Sequence, residues 1–530
     1  MHRNKSVSQH TFAMVPKAEI PRSAFNRQFT HKTTFDAGYL IPIYVDEVLP
    51  GDTFNLSATL FARMATPIYP VMDNLHLDSF FFFVPNRIIW DNWKRFMGEQ
   101  ANPGDSTSFL VPQHTSPLGG YTANTLQDYM GLPTVGQING ATTFKHNSLH
   151  LRGYNKIWNE FFRDENLQDS VVVDMGDGSG DLITNYNLLR RGKRHDYFTS
   201  ALPWTQKGDS VTLPLGTSAP VRWVDTTSAP IGGATAGLYA NAANSTTPTY
   251  DGTAWNTFPK ASDMYADLAE ATAATINQLR QAFQIQKLLE RDARGGTRYV
   301  ERLKAHFGVV SPDFRLQRPE YLGGGSTMVN INPVAQTSGS PGAGGYTDTP
   351  QGNLAAFGTA LATGHGFTAS FTEHGIIIGM ISVRADLTYQ QGLHKMWSRQ
   401  TQYDFYFPAF ANLGEQAILN KEIYCDGTPN DEDVFGYQER WAEYRYKPSQ
   451  ITGLFRSTTT GTLDGWHLAQ NFTALPTLNE TFIQEFPPMA RVLAVGQEAL
   501  GQHFILDSFF ENRVTRCMPL YSVPGLIDHF

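Results

Sequence analysis

Four cations crowd one stretch of the chain: Arg190, Arg191, Lys193 and Arg194, followed by His195, Asp196, Tyr197, Phe198 and Trp204. Cations interleaved with rings suit single-stranded nucleic acid, because Arg and Lys meet phosphates while bases stack on aromatic faces. A salt-bridged contact between subunits would use the same residues, and both readings stay open. Asp174, Asp177 and Asp181 put three carboxylates in a Gly-rich stretch, and Ca2+ takes such oxygens. Their spacing departs from the DxDxDG loop and no Glu follows at the twelfth position, so an acidic turn is expected and no metal. Glu439 and Glu443 resemble the carboxylate pair of a glycosidase, but such pairs are common and sequence does not set their separation. The chain has no GxxxxGKS/T phosphate loop, strand-linked GxGxxG, HExxH or GxSxG, so neither a catalytic role nor a cofactor is expected.

A second group of cations lies at the amino-terminal end. Residues 1–32 hold Arg3, Lys5, Lys17, Arg22, Arg27 and Lys32 against Glu19 alone, a net +5 in a chain whose total is −8. A basic arm on an acidic body fits a polyanion-binding tail, and a solvated terminus fits the composition equally. No apolar stretch follows the charges of Met1–Gln9, so no signal peptide is expected. Apolar runs such as Phe80–Val84 are far too short to span a bilayer. The two cysteines, Cys425 and Cys517, form no CxxC pair and fit folding in a reducing cytoplasm.

These residues need a scaffold, and the pattern around them reads mainly as strands. In Thr53–Phe61 the residues Phe54, Leu56, Ala58 and Leu60 alternate with Thr53, Asn55, Ser57 and Thr59. Phe367, Ala369 and Phe371 alternate with Thr368, Ser370 and Thr372, and both runs have the period of a half-buried strand. Glu373-His374-Gly375 turns into Ile376–Val383, which is apolar on both faces and therefore expects cover on both, from the opposite sheet and from a loop or a neighbouring subunit. Further strands are expected at Phe35–Ile43, Leu75–Val84, Trp441–Tyr446 and His503–Val514. Strands near both chain ends imply one sandwich built from both. Helices are expected at 276–294, with Ile276, Leu279, Ala282, Phe283, Ile285 and Leu289 as a core-facing stripe, and at 299–307. Gly295-Gly296 and Gly308 end them.

Residues 207–262 differ from the rest. Of 56 residues, 35 are Gly, Ala, Ser, Thr or Pro and six are charged, which marks a surface insertion rather than a core segment. Its scattered rings are Trp223, Tyr239, Tyr250 and Trp255. Over the whole chain 12% of residues are aromatic and only 17% charged. Buried interfaces favour that balance, and so does a large all-β core.

Several long blocks resemble the major capsid proteins of microviruses, in particular the gokushovirus branch of these small single-stranded-DNA bacteriophages. They include Phe25-Asn-Arg-Gln-Phe-Thr-His-Lys-Thr-Thr-Phe35, Tyr154-Asn-Lys-Ile-Trp-Asn-Glu-Phe-Phe-Arg-Asp-Glu165 and Arg190 to Trp204. Glu290-Arg-Asp-Ala-Arg-Gly-Gly-Thr-Arg-Tyr299 and Tyr437-Gln-Glu-Arg-Trp-Ala-Glu-Tyr-Arg-Tyr-Lys-Pro-Ser-Gln450 belong to the same set. The resemblance implies an eight-stranded antiparallel jelly roll with long insertions, and a T=1 icosahedral shell of identical copies around circular single-stranded DNA. It implies virion localisation after assembly in the host bacterial cytoplasm, with a minor DNA-pilot protein and an internal scaffolding protein as partners. It also implies that the insertion forms a protrusion near the three-fold axis facing a host surface receptor. On this reading residues 1–32 are an arm facing the genome, 33–206 and 263–530 the two parts of the jelly-roll core, and 207–262 the protrusion. The alternative from a different class is a carbohydrate-binding or carbohydrate-active β-sandwich using Trp and Tyr as sugar platforms.

Overall fold

The computed structural model describes residues 21–178, 181–209, 211, 221–223, 239–240, 248–249, 264–266, 276–339, 351–495 and 502–521. Period-two stretches from both ends of the chain pair into two antiparallel sheets. The strands are β1 (Arg22–Phe35), β2 (Ile41–Val48), β3 (Thr53–Met64), β4 (Leu75–Pro85) and β5 (Glu320–Met328). They continue as β6 (Asn330–Ala335), β7 (Leu354–Ser370), β8 (Gly375–Ala385) and β9 (Phe504–Cys517). One sheet runs β1-β9-β3-β7-β6 and the other β5-β4-β8-β2. With β6 set aside, β1-β9-β3-β7 and β2-β8-β4-β5 is the two-sheet order of a jelly roll. The expected eight strands thus become nine. Val329, buried with its N–H donating to the Leu75 carbonyl at 2.8 Å, anchors a corner where the chain passes from β5 in one sheet to β6 in the other.

Alternation decides which side chains enter the core. Phe54, Leu56, Leu60, Phe81, Ile377, Ile381, Phe504 and Phe510 point between the sheets and are almost fully buried. Each contributes about 1.5–3 kcal/mol by leaving water. On β8 the intervening residues Ile376, Ile378 and Met380 point the other way and are equally buried, so all 11 positions of that strand are inside. Their cover is supplied by the chain itself. The helix α1 (Leu149–Ile157) lies against them with Leu149, Leu151, Tyr154 and Ile157, joined by Trp90, Leu126 and Tyr186. Gly153 permits this approach, since a Cβ there would stand 2.6 Å from Ile376 Cδ1.

Among the described residues the outer face of the five-stranded sheet is covered less completely. Phe61 is 46% exposed, Leu361 59%, Ile505 59% and Phe509 38%. Pairing sets them side by side: Phe61 lies opposite Leu361 on β7 and Asp507 on β9, and Ile505 lies opposite Arg63.

Within the sandwich unit, three segments differ from the sequence expectation. The run Phe35–Ile43 is not one strand, because Gly38 takes a left-handed turn (φ +86°) where a Cβ would meet the Glu485 carbonyl oxygen at 2.2 Å. Trp441–Tyr446 is not a strand either. Trp441 is left-handed (φ 70°), its indole donates to the Phe410 carbonyl at 2.9 Å, and a short helix Ala442–Arg445 follows. The neighbouring strand pair is Glu415–Leu419 with Val434–Glu439. Finally, residues 22–32 of the expected arm are the first strand of the sandwich.

The chain divides into two compact units, Met1–Pro203 with Val309–Phe530, and Trp204–Gly308. The second contains α2 (Ile276–Gly295) and α3 (Tyr299–Phe307), which were expected to belong to the core. They bind each other instead: Asp292 accepts from Arg302 at 3.0 Å and meets His306 at 2.6 Å, and the Lys207 N–H donates to Leu289 O at 3.4 Å. Much of the expected core-facing stripe is exposed, including Leu279, Phe283 and Ile285.

Candidate functional site

The stretch from Arg190 to Arg194 crosses the fold beside β4 and β8, and its cations have different surroundings. The Arg190 guanidinium lies between two rings, 3.9 Å from the Tyr39 centroid and 4.4 Å from that of Phe486, and donates to the Glu485 carbonyl at 3.2 Å. Arg191 donates to Asp78 at 2.7 Å, and Arg384 reaches the same carboxylate oxygen at 2.9 Å. Burial pushes the Asp78 carboxyl up, but the Ser326 hydroxyl, Arg191 and Arg384 outweigh it and hold the pKa below the usual carboxylate value. Lys193 is buried over the Phe482 ring at 4.4 Å, and burial lowers its pKa. Arg194 is exposed and stands 3.8 Å from Asp386. Thus Arg190 and Arg191 have partners within their own chain. Trp204 belongs to the other unit, with the Lys207 ammonium 5.9 Å from its ring.

Three of the six amino-terminal cations are described, and the sandwich engages all three. Arg22 donates to Thr53 Oγ1 at 3.2 Å, Arg27 forms an ion pair with Asp46, and Lys32 pairs with Asp507 at 2.6 Å on the outer face. Arg3, Lys5 and Lys17 lie outside the described residues, as do Tyr250 and Trp255. Trp223 and Tyr239 fall in short strands at Val221–Trp223 and Tyr239–Ala240.

The acidic stretch is a set of structural ties. Asp181 accepts from Arg152 of α1 at 2.9 Å and from the Tyr186 hydroxyl at 2.8 Å, while Asp177 accepts from the Trp90 indole at 2.7 Å. Asp174 accepts from the Gly176 N–H at 2.7 Å. Among the described residues no group of three or more His, Cys, Asp or Glu is placed to hold a metal. Glu443 accepts from Gln416 at 2.7 Å and Arg399 at 3.0 Å. Burial raises its pKa, but these donors together with Lys395 lower it further, which suits an ion pair rather than a general acid. Glu439 is bound by Arg445.

The exposed rings were missed by the sequence reading. Trp397, Tyr403, Phe405, Tyr406 and Phe407 crowd one loop beside Tyr444, and Arg399 lies 4.3 Å from the Tyr444 ring. Their density between 397 and 407 was the available signal. Phe61 gave another, since it occupies a slot on the polar face of its strand.

What this arrangement provides is surface: one sheet face with uncovered apolar residues, a 14-residue edge strand β1 that pairs only with β9 among the described residues, and a ring-rich loop. Such features mark protein contacts, because apolar patches and open strand edges seek partners. Comparison with known proteins agrees. Residues 13–526 match the profile of the family described as capsid protein (F protein). The chain is 49% identical to capsid protein VP1 of Bdellovibrio phage phiMH2K over 99% of both chains. It is 45% identical to capsid protein VP1 of Chlamydia phage 1 over 98% of both, and 37% identical to that of Spiroplasma virus 4 over 98% of this chain and 97% of the relative.

Proposed function

We propose how this subunit builds a particle from one premise: the chain belongs to the phage capsid F-protein family. It is a major capsid protein, a structural component of the virion that assembles with copies of itself into a shell. In our reading the shell is a T=1 icosahedron around circular single-stranded DNA. The observation that carries it is the asymmetry of the sandwich, one sheet closed by its own chain and the other bearing Phe61, Leu361, Ile505 and Phe509 in the open. A two-layered body with exposed apolar residues on one outer face, and an edge strand that pairs on one side only among the described residues, favours lateral and internal contacts over life as a monomer.

Genome contact in this reading is electrostatic and independent of sequence, because Lys and Arg release counterions from phosphates. The engagement of Arg22, Arg27 and Lys32 by the sandwich shifts that role toward Arg3, Lys5 and Lys17, with Arg194 as an exposed supplement. The sparsely charged segment 207–262, with Trp223, Tyr239, Tyr250 and Trp255, is proposed as a protrusion near the three-fold axis that meets a bacterial surface receptor. A DNA-pilot protein and an internal scaffolding protein complete the proposed partners, with assembly in the host cytoplasm. Electron microscopy of purified protein and virus tests the reading: closed shells of uniform diameter containing nuclease-protected DNA are expected. Monomers alone under all assembly conditions would overturn it.

A further inference from the structure

Lys193 is a buried cation without an acid. The residue is 8% exposed, and no ion pair or side-chain hydrogen bond engages its ammonium among the described residues. Glu485 and Asp196 act on it only at a distance and do not cancel the effect of burial. A largely buried ammonium with no carboxylate in contact gains from an anion that enters beside it. The ammonium faces a cavity of about 540 Å³ that is also lined by Arg190, Phe472, Phe482, Phe486 and Asn479, with no carboxylate among the lining residues. That volume falls in the range of small-ligand sites, roughly 300–1,000 Å³. Phe486 is half-exposed at the rim, and the Arg190 guanidinium, wedged between it and Tyr39, holds its ring in place.

We propose that this cavity binds one nucleotide of single-stranded nucleic acid, with a phosphate on Lys193 and the base against the rings of Phe486 and Phe472. A cation for the phosphate beside aromatic faces for the base is the chemistry by which single strands are held without regard to sequence. A carboxylate from a second copy of the chain would satisfy Lys193, yet it would leave most of the cavity and its rings unused. The inference rests on the reading that the shell encloses single-stranded DNA, and deepens it by placing one contact in a built pocket.

The test is binding of a fluorescent oligothymidylate to the purified full-length chain over a range of salt concentrations, with inorganic phosphate as competitor. Lys193→Gln is expected to weaken binding roughly 10-fold and to reduce the slope of log K against log salt by about one unit. Phe486→Ala is expected to weaken it by a similar factor, roughly 10-fold, with the slope unchanged. Lys193→Met removes an uncompensated charge, so unchanged or raised thermal stability is expected and checks that the variants fold. Inorganic phosphate should displace the oligonucleotide only at large excess. Equal affinity and slope in wild type and Lys193→Gln would overturn the proposal. So would a Lys193→Gln defect in DNA-free assembly with oligonucleotide affinity intact, which would assign the cavity to a second copy. Loss of the pocket alone leaves DNA-filled particles, whereas DNA-free particles from wild-type protein would defeat the reading beneath it.

Discussion

The two sheets of the sandwich have equally apolar inner faces and opposite outer ones. On the four-stranded sheet Ile376, Ile378, Met380 and Phe82 point outward into a second core made by α1 and the chain from Ile88 to Tyr186. On the five-stranded sheet Phe61, Leu361, Ile505 and Phe509 point outward and stay exposed. Among the described residues the chain thus covers one outer face and leaves apolar side chains exposed on the other. Apolar residues outside the core carry a different meaning in each place: cover that is already present, or cover still to come.

Substitution under the cover should have the largest effect. Phe82 packs at 4.8 Å from Phe161 and 5.4 Å from Tyr321, so Phe82→Ala should cost about 3–5 kcal/mol of subunit stability, measured by chemical denaturation. A cost below about 1 kcal/mol would show that the second core is loosely packed and erase the contrast between the faces. Arg191→Ala should come next. It leaves Asp78 with Arg384 and the Ser326 hydroxyl, so one charge-assisted hydrogen bond is lost, at a cost of roughly 1.5–3 kcal/mol. Arg191→Met, which keeps volume without charge, should be as damaging if the charge matters.

A smaller effect is expected from pH. His114 and His146 lie in the covering layer, and burial holds both imidazoles below their ordinary pKa. The unfolded chain therefore binds protons more readily, so their contribution is fully present above about pH 6.5 and is lost as pH falls below it. Melting temperature should be flat from neutral to mildly alkaline pH and fall on acidification. His114→Gln with His146→Gln should remove part of that slope; an unchanged acid limb would place the sensitivity elsewhere, for instance at His365 on β7, which is shifted the same way. The smallest change in subunit stability is expected on the open face. Phe61→Ser should alter folding by under about 1 kcal/mol, as surface changes usually do, while lowering shell yield in sedimentation. Unaltered yield would mean that this face is not where copies or internal partners meet.

Much of the fold was legible. The alternation in Thr53–Phe61 and the doubly apolar Ile376–Val383 placed β3 and β8, and Gly308 marked the end of α3. Sequence left Gly38 and Trp441 unread, because the Glu485 carbonyl that excludes a Cβ at 38 and the Phe410 carbonyl that accepts from the Trp441 indole lie far along the chain. The candidate site was half legible. The cations and rings of 190–204 stood out by type, yet spacing is silent about which cation finds Asp78 and which finds only a ring.

By itself the sequence determined a β-rich subunit of the capsid kind, since period-two patterning and long family blocks are local properties carried by residue order. Only the tertiary structure decided that α1 closes one sheet while Phe61, Leu361, Ile505 and Phe509 stay exposed on the other, and that Arg191 is tied down while Lys193 faces a cavity. Those outcomes depend on distances between residues far apart in the chain, and such distances exist only once the sheets have paired.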